Sequence, residues 1–199
     1  MNLPDRIEIL RWLYGRLKPR RFLHTLGVEQ LAVHLANLHH LSPETASTAA
    51  LLHDCAKNMS DEELLQICDR SGVDLKPNQE YPQLLHAFAA PVVAQEKFGP
   101  LPEDLLNALR FHTTGRAGMS PMEKLIFSAD YAEPGREPFP GLLEARELLV
   151  SDLGLGTLQI LENTVQYLRQ KKQKVHFYTL EALQSLRRET QREGREESK

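Results

Sequence analysis

The sequence predicts an all-α fold. Apolar residues recur at helical spacing from end to end. Alternating β-branched runs closed by tight turns are missing, and capping residues, prolines and glycines mark successive helix ends. Pro4 can open a first helix over residues 4–17, because a proline at the first helical position loses only a donor that would stay unpaired there. Lys18-Pro19 closes it. A second helix is predicted over residues 20–38, with Val28, Leu31, Leu35 and Leu38 on one face. Ser42-Pro43 starts a third, reaching residue 57. Ser60 and Glu63 form a capping box for a fourth that ends near Gly72. Residues 73–81 read as a loop, followed by helices over 82–98 and 102–112 on either side of Gly99-Pro100. The turn at 113–118 carries two glycines. Ser120-Pro121 with Glu123 begins a helix to residue 131, which Pro134-Gly135 breaks. A short helix over 141–150 and a long one over 157–188 complete a bundle of about eight to nine helices.

At 199 residues the chain can bury a full core in one domain. Residues 1–188 are expected to form that domain. Residues 189–199, charged and without apolar side chains, are expected to fray as a disordered tail. No internal repeat is visible. Cys55 and Cys68 are too far apart for a Cys-x-x-Cys site, and no signal peptide is read ahead of them, so a reduced, cytoplasmic setting is expected. The formal charge of −3 gives no basic surface for extended nucleic acid, and no apolar run approaches the roughly 20 residues of a membrane span. Homodimerisation is left open.

Eight histidines are the informative count, and helical periodicity sorts them. His24 begins the stripe that continues through Val28 and Leu31. His53 shares a face with Ala46, Ala49 and Ala50, and Asp54 lies beside that face. His86 aligns with Ala89, Ala90 and Val93; His112 with Leu105, Ala108 and Leu109; Asp130 with Ile126 and Phe127. These six residues point from five helices toward one interior. His34, flanked by Gln30 and Asn37, should face water, and His39, His40 and His176 read as surface or capping histidines. A buried carboxylate or imidazole without a partner costs several kcal/mol, and a metal would satisfy all six together.

The order of a histidine, a His-Asp doublet and a late aspartate, here His24, His53-Asp54 and Asp130, resembles the HD superfamily of metal-dependent phosphohydrolases. His86 and His112, between doublet and late aspartate, resemble the extra ligands of two-metal members. More narrowly, the segments Leu51-Leu52-His53-Asp54-Cys55-Ala56-Lys57, Arg110-Phe111-His112-Thr113-Thr114-Gly115 and Ala129-Asp130-Tyr131-Ala132-Glu133-Pro134-Gly135-Arg136 are similar to the YqeK family of symmetrical diadenosine tetraphosphate hydrolases. The likeness spans roughly residues 5–185. Cys55 departs from the aromatic residue expected after the doublet, at a position that is not a ligand.

The resemblance implies an HD-type helical bundle with a metal site between helices. His24, His53, Asp54 and Asp130 would hold one metal, while Asp54 would bridge to a second held by His86 and His112. It favours iron; the mixed nitrogen and oxygen set also suits manganese, zinc or nickel. Two such metals activate water for in-line attack on phosphorus, so no protein nucleophile is needed. Asp54 and Lys57 are the candidate catalytic residues. Lys57, one turn past the doublet, Thr113, Thr114 and Gly115 in the turn after His112, and Arg136 beyond the Pro-Gly break are candidates for holding substrate phosphate. The implied reaction is symmetrical cleavage of a dinucleoside polyphosphate, diadenosine tetraphosphate, to two ADP. Tyr131 and Phe139 could stack on a base, though packing is the commoner role of such rings. The alternatives are another HD phosphohydrolase acting on a deoxynucleotide, nucleoside monophosphate or cyclic dinucleotide, a nucleotide-sensing module without turnover, and an oxygen-using di-iron oxidase.

Overall fold

A computed structural model describes residues 3–71 and 81–196, with side chains through residue 192. All its regular elements are helical: α1 (Arg6–Tyr14), α2 (Pro19–Leu38), α3 (Pro43–Leu52), α4 (Asp61–Arg70), a 3₁₀ turn (Pro82–Leu84), α5 (Leu85–Phe98), α6 (Glu103–Phe111), α7 (Pro121–Ala132), α8 (Leu142–Ser151), α9 (Leu153–Gln170) and α10 (Phe177–Glu196). Among the described residues there is no strand, and no helix is long and apolar enough to cross a membrane. The predicted loop over 73–81 lies, apart from Tyr81, outside the described residues.

Local chemistry sets most helix starts. Ser42, Ser60 and Ser120 each accept a backbone N–H from three residues on, and Glu63 returns the bond to Ser60, which completes the capping box. Several boundaries differ from expectation. At α1, Asp5 is the cap, accepting from the N–H groups of Ile7 and Glu8 at 2.9 and 3.1 Å, so Pro4 stands outside the helix. After α3 the chain tightens. Cys55 donates to the Leu52 carbonyl, Lys57 to that of Asp54 and Met59 to that of Ala56, all three residues back.

The long helix predicted over 157–188 is two helices, which brings the α-helix count to ten among the described residues. Its break is a Schellman close: Gln173 donates to the Leu168 carbonyl, Lys172 to that of Arg169, and Lys172 adopts φ +56°. Lysine stands where glycine is usual, so no residue type signals the stop. His176 then caps α10 through its ring Nδ1, which accepts from the Tyr178 N–H at 3.2 Å. Residue 188 is not the end of α10 either. The helix continues to Glu196, and Glu189 pairs with Lys124 at 2.5 Å.

α7 is buried nearly all round, with Met122, Leu125, Ile126, Phe127, Ala129 and Ala132 in the core. It packs against α2, α3, α6, α8 and α9. Fully buried Ala32 and Ala36 of α2 and Ala46, Ala49 and Ala50 of α3 let those helices lie close, which brings the residues at their ends together. At the α8–α9 corner Gly156 has no room for a side chain: a Cβ there would sit 2.7 Å from Leu149 Cδ2 and 2.8 Å from its backbone nitrogen. Alanine gains about 1 kcal/mol of helix propensity over glycine, but overpacking against backbone costs about 1–3 kcal/mol. Gly156→Ala should therefore lower the melting temperature; an unchanged melt would show that the corner yields freely.

Candidate metal centre

The six predicted residues meet in one place. His24 comes from the first turns of α2, His53 and Asp54 from the tight turn after α3, His86 from the start of α5, His112 from the end of α6, and Asp130 from the last turn of α7. His53, Asp54, His86 and His112 are buried. The His24 and Asp130 side chains keep 10% and 20% of their surface, so the site opens on their side.

Asp54 divides this cluster. Its Oδ2 faces His53 Nε2 at 3.4 Å and His24 Nε2 at 3.9 Å, and Asp130 Oδ1 completes that side at 3.0 Å from His24 Nε2 and 3.9 Å from His53 Nε2. Its Oδ1 faces His86 Nε2 at 3.2 Å and His112 Nε2 at 3.7 Å. Two groups have donor atoms close enough to share one ion, His24 with His53 and Asp130, and His53 with Asp54 and His112.

The tautomers suit a cation. His24 Nδ1 donates to Glu133 Oε1 at 3.1 Å, His53 Nδ1 to the Ala50 carbonyl at 2.6 Å, and His112 Nδ1 to the Leu109 carbonyl at 2.7 Å. Those oxygens can only accept, so in the neutral ring each Nε2 carries the lone pair, the arrangement found in metal-ligating histidines. His24 Nε2, His53 Nε2 and Asp54 Oδ1 are buried without a hydrogen-bond partner in the protein, the deficit that an ion would fill. Charge agrees. Burial alone would push Asp54 up, but His53, His112 and His86 outweigh it and hold the carboxyl well below its ordinary range. Asp130 is lowered similarly, burial being overcome by His24 at 3.0 Å and by the His53 and His112 charges. Burial lowers His53, yet Asp54 and Asp130 raise it more. His86 is pushed down to about 4, chiefly by burial, and is neutral.

Around the cluster lie three cations. Lys57 Nζ is 3.2 and 3.1 Å from the two ring nitrogens of His86, and burial, the largest influence, lowers its pKa. Arg136 turns back onto the Asp130 carbonyl at 2.8 Å and Asp130 Oδ1 at 3.0 Å while 37% of its side chain stays exposed. The third, Arg21, was absent from the sequence reading. Its Nη1 donates to Asp54 Oδ2 at 2.6 Å. The missed signal is its place one turn before His24. Glu133, to which the sequence alone assigns no role, is buried and, besides anchoring His24, accepts from the Gly135 N–H at 2.5 Å.

The turn after His112 divides the remaining candidates. Thr113 Oγ1 is buried without a protein partner, available to a ligand. Thr114 is buried with its hydroxyl on the Gly115 carbonyl at 2.9 Å, and Gly115 packs against Ala182 and Met119. These two shape the turn. His34 is exposed as expected. His176 is not a surface residue; only 3% exposed, it packs among Tyr81, Phe88 and Tyr178. Burial pushes the thiols of Cys55 and Cys68 up to about 12 and about 11, so thiolate is scarce. Neither should react with a thiol reagent at pH 8 until the protein unfolds, and rapid labelling of the native chain would contradict their burial.

The HD domain family model matches residues 21–135, a span that holds all six clustered residues. The chain is 38% identical over 171 residues to the symmetrical bis(5'-nucleosyl)-tetraphosphatase of Bacillus subtilis (strain 168), covering 86% of this chain and 91% of that one. It is 37% identical over 177 residues to the protein of the same name from Halalkalibacterium halodurans, covering 88% and 94%. Among solved structures, a predicted HD superfamily hydrolase involved in NAD metabolism from Clostridium acetobutylicum superposes with a TM-score of 0.88 at 38% identity, covering 93% of this chain and 98% of that one. With the matched span, the helical architecture and the His-Asp cluster in agreement, this chain belongs to the HD domain family.

Proposed function

We propose that the chain is a metal-dependent hydrolase that cleaves diadenosine tetraphosphate symmetrically to two ADP. The observation that carries this reading is the division of Asp54, one oxygen toward His24 and His53 and the other toward His86 and His112. The names of the Bacillus and Halalkalibacterium relatives support the substrate. His24, His53, Asp54 and Asp130 would hold one metal, and Asp54, His86 and His112 the second. Bound metals supply an acidified water and charge neutralisation at phosphorus. Iron is the metal favoured by family resemblance; manganese, zinc and nickel suit the same nitrogen and oxygen donors.

The chain's own residues do the rest. Water adds to a phosphorus flanking the central bridging oxygen, the bond from that phosphorus to the bridge breaks, and the bridging oxygen leaves with the second ADP. Asp54 and Asp130 keep the anionic site ready for cations. Lys57 places positive charge beside His86, where it can meet phosphate oxygens. Arg136 is exposed enough to swing from Asp130 to a phosphate and offers a planar, bidentate donor set. Thr113 Oγ1 adds a neutral donor. Arg21 neutralises part of the Asp54 charge and fixes its carboxylate plane. Residues 1–188 would act as one domain, in the reducing cytoplasm that its two thiols suit.

The test is anaerobic purification with metal quantification, then incubation with diadenosine tetraphosphate and chromatography of the products. ADP as sole product, with about two metals per chain and loss of turnover on chelation, is the expected result. ATP with AMP, or no turnover with metals bound, would overturn it in favour of another HD phosphohydrolase or a sensing module.

A further inference from the structure

Beside the cluster lies a second concavity. It encloses about 780 Å³ between the end of α7, residues 139–141 and the second half of α9, within the range of roughly 300–1,000 Å³ usual for small-molecule sites. Tyr131 and Phe139 form one wall, ring centroids 5.2 Å apart and edge to face. Tyr167 stands in the same lining. Phe139 and Tyr167 leave 37% and 56% of their surface to water, so ring faces remain for a flat ligand. Asn163 braces the wall. It donates to Tyr131 Oη and to the Gly141 carbonyl, and it accepts from Gln159. The exposed Gln166 lies in the lining as well, and its amide offers both a donor and an acceptor to the edge of a base.

The pocket and the cluster share α7. Tyr131 follows Asp130 directly, so one wall begins a single residue from a cluster carboxylate. Arg136, held on Asp130, heads the short segment that carries Phe139 to that same wall. A guanidinium held on Asp130 thus lies three residues before Phe139 of the aromatic pocket. A nucleoside 5′-phosphate has the same order of parts: a flat base, a sugar, then anionic phosphate.

We propose that this pocket seats one nucleoside of the substrate, its base against Phe139 and Tyr167, with Arg136 on the phosphate between pocket and cluster. The inference rests on the hydrolysis proposed above and goes further by assigning the base site. The tests are Phe139→Ala and Tyr167→Ala, both at exposed rings whose loss leaves the core intact. Metal-loaded wild type and variants are titrated calorimetrically with ADP and with inorganic pyrophosphate, and KM and kcat are measured for diadenosine tetraphosphate.

The variants should bind ADP about tenfold more weakly, the scale of a lost base–aromatic stack, with pyrophosphate affinity unchanged. KM should rise by a similar factor while kcat stays within about twofold, as expected when binding common to ground and transition states is removed. ADP affinity equal to wild type, a parallel loss for pyrophosphate, or no ADP binding by wild type would each overturn the assignment. If wild type binds ADP but leaves diadenosine tetraphosphate intact, the titrations still decide the pocket while the reaction fails on its own.

Discussion

Asp54→Ala is expected to reduce hydrolysis to background and metal content from about two ions per chain to less than one, on the two-metal reading of the site. The reason is position. Asp54 is the only carboxylate of the cluster within 4 Å of both histidine pairs, so its removal disconnects both halves. It also leaves Arg21 without the acceptor it holds at 2.6 Å. Metal analysis beside an activity assay separates the outcomes: full metal content with activity lost would show that Asp54 acts in the chemistry but bridges nothing. His34→Ala on the exposed face of α2 is the matched control and should keep both. Loss of activity there without unfolding would contradict the helical phase that places His24 inward.

The second large effect is expected at a residue that touches no metal. Glu133→Gln removes the anionic acceptor of His24 Nδ1, and such partners of metal-ligating histidines typically contribute about 10–100-fold to metal affinity or activity. Gly27→Ala reaches the same carboxylate from the other side, since a Cβ there would lie 2.5 Å from Glu133 Oε2. That oxygen is pinned by the Gly135 N–H and cannot retreat without giving up its bond. Both variants should weaken metal binding in a chelator competition, with the imidazole of His24 still present. Wild-type affinity in Glu133→Gln would confine Glu133 to shaping the turn at Pro134-Gly135.

What was legible in the sequence was whatever helical periodicity controls. His24, His86, His112 and Asp130 lie on apolar stripes, and the structure brings them together with His53 and Asp54. The serine caps were legible too, because their hydrogen bonds are local. Three things were not. The close of α9 uses a lysine in the left-handed region, and backbone strain of that kind leaves no mark in residue type. His176 reads as polar but is covered by rings from Tyr81 and Phe88, far away in the chain. Arg21 and Glu133 owe their importance to partners on other helices, and a lone charge near a helix end looks the same whether it meets water or a buried carboxylate.

The tight turn after α3 is short, but it decides how the cluster relates to the rest of the chain. It sets Asp54 among donors contributed by stretches that begin at residue 24 and end at residue 130, so no fragment shorter than that span can contain all six. Bound ions would act as a non-covalent crosslink across more than half of the chain. They would be available to the native state and largely lost to the unfolded one, and at a free concentration a hundredfold above the dissociation constant each contributes about 2.7 kcal/mol to folding. Metal supply would then govern how much of the protein persists as well as how fast it turns over.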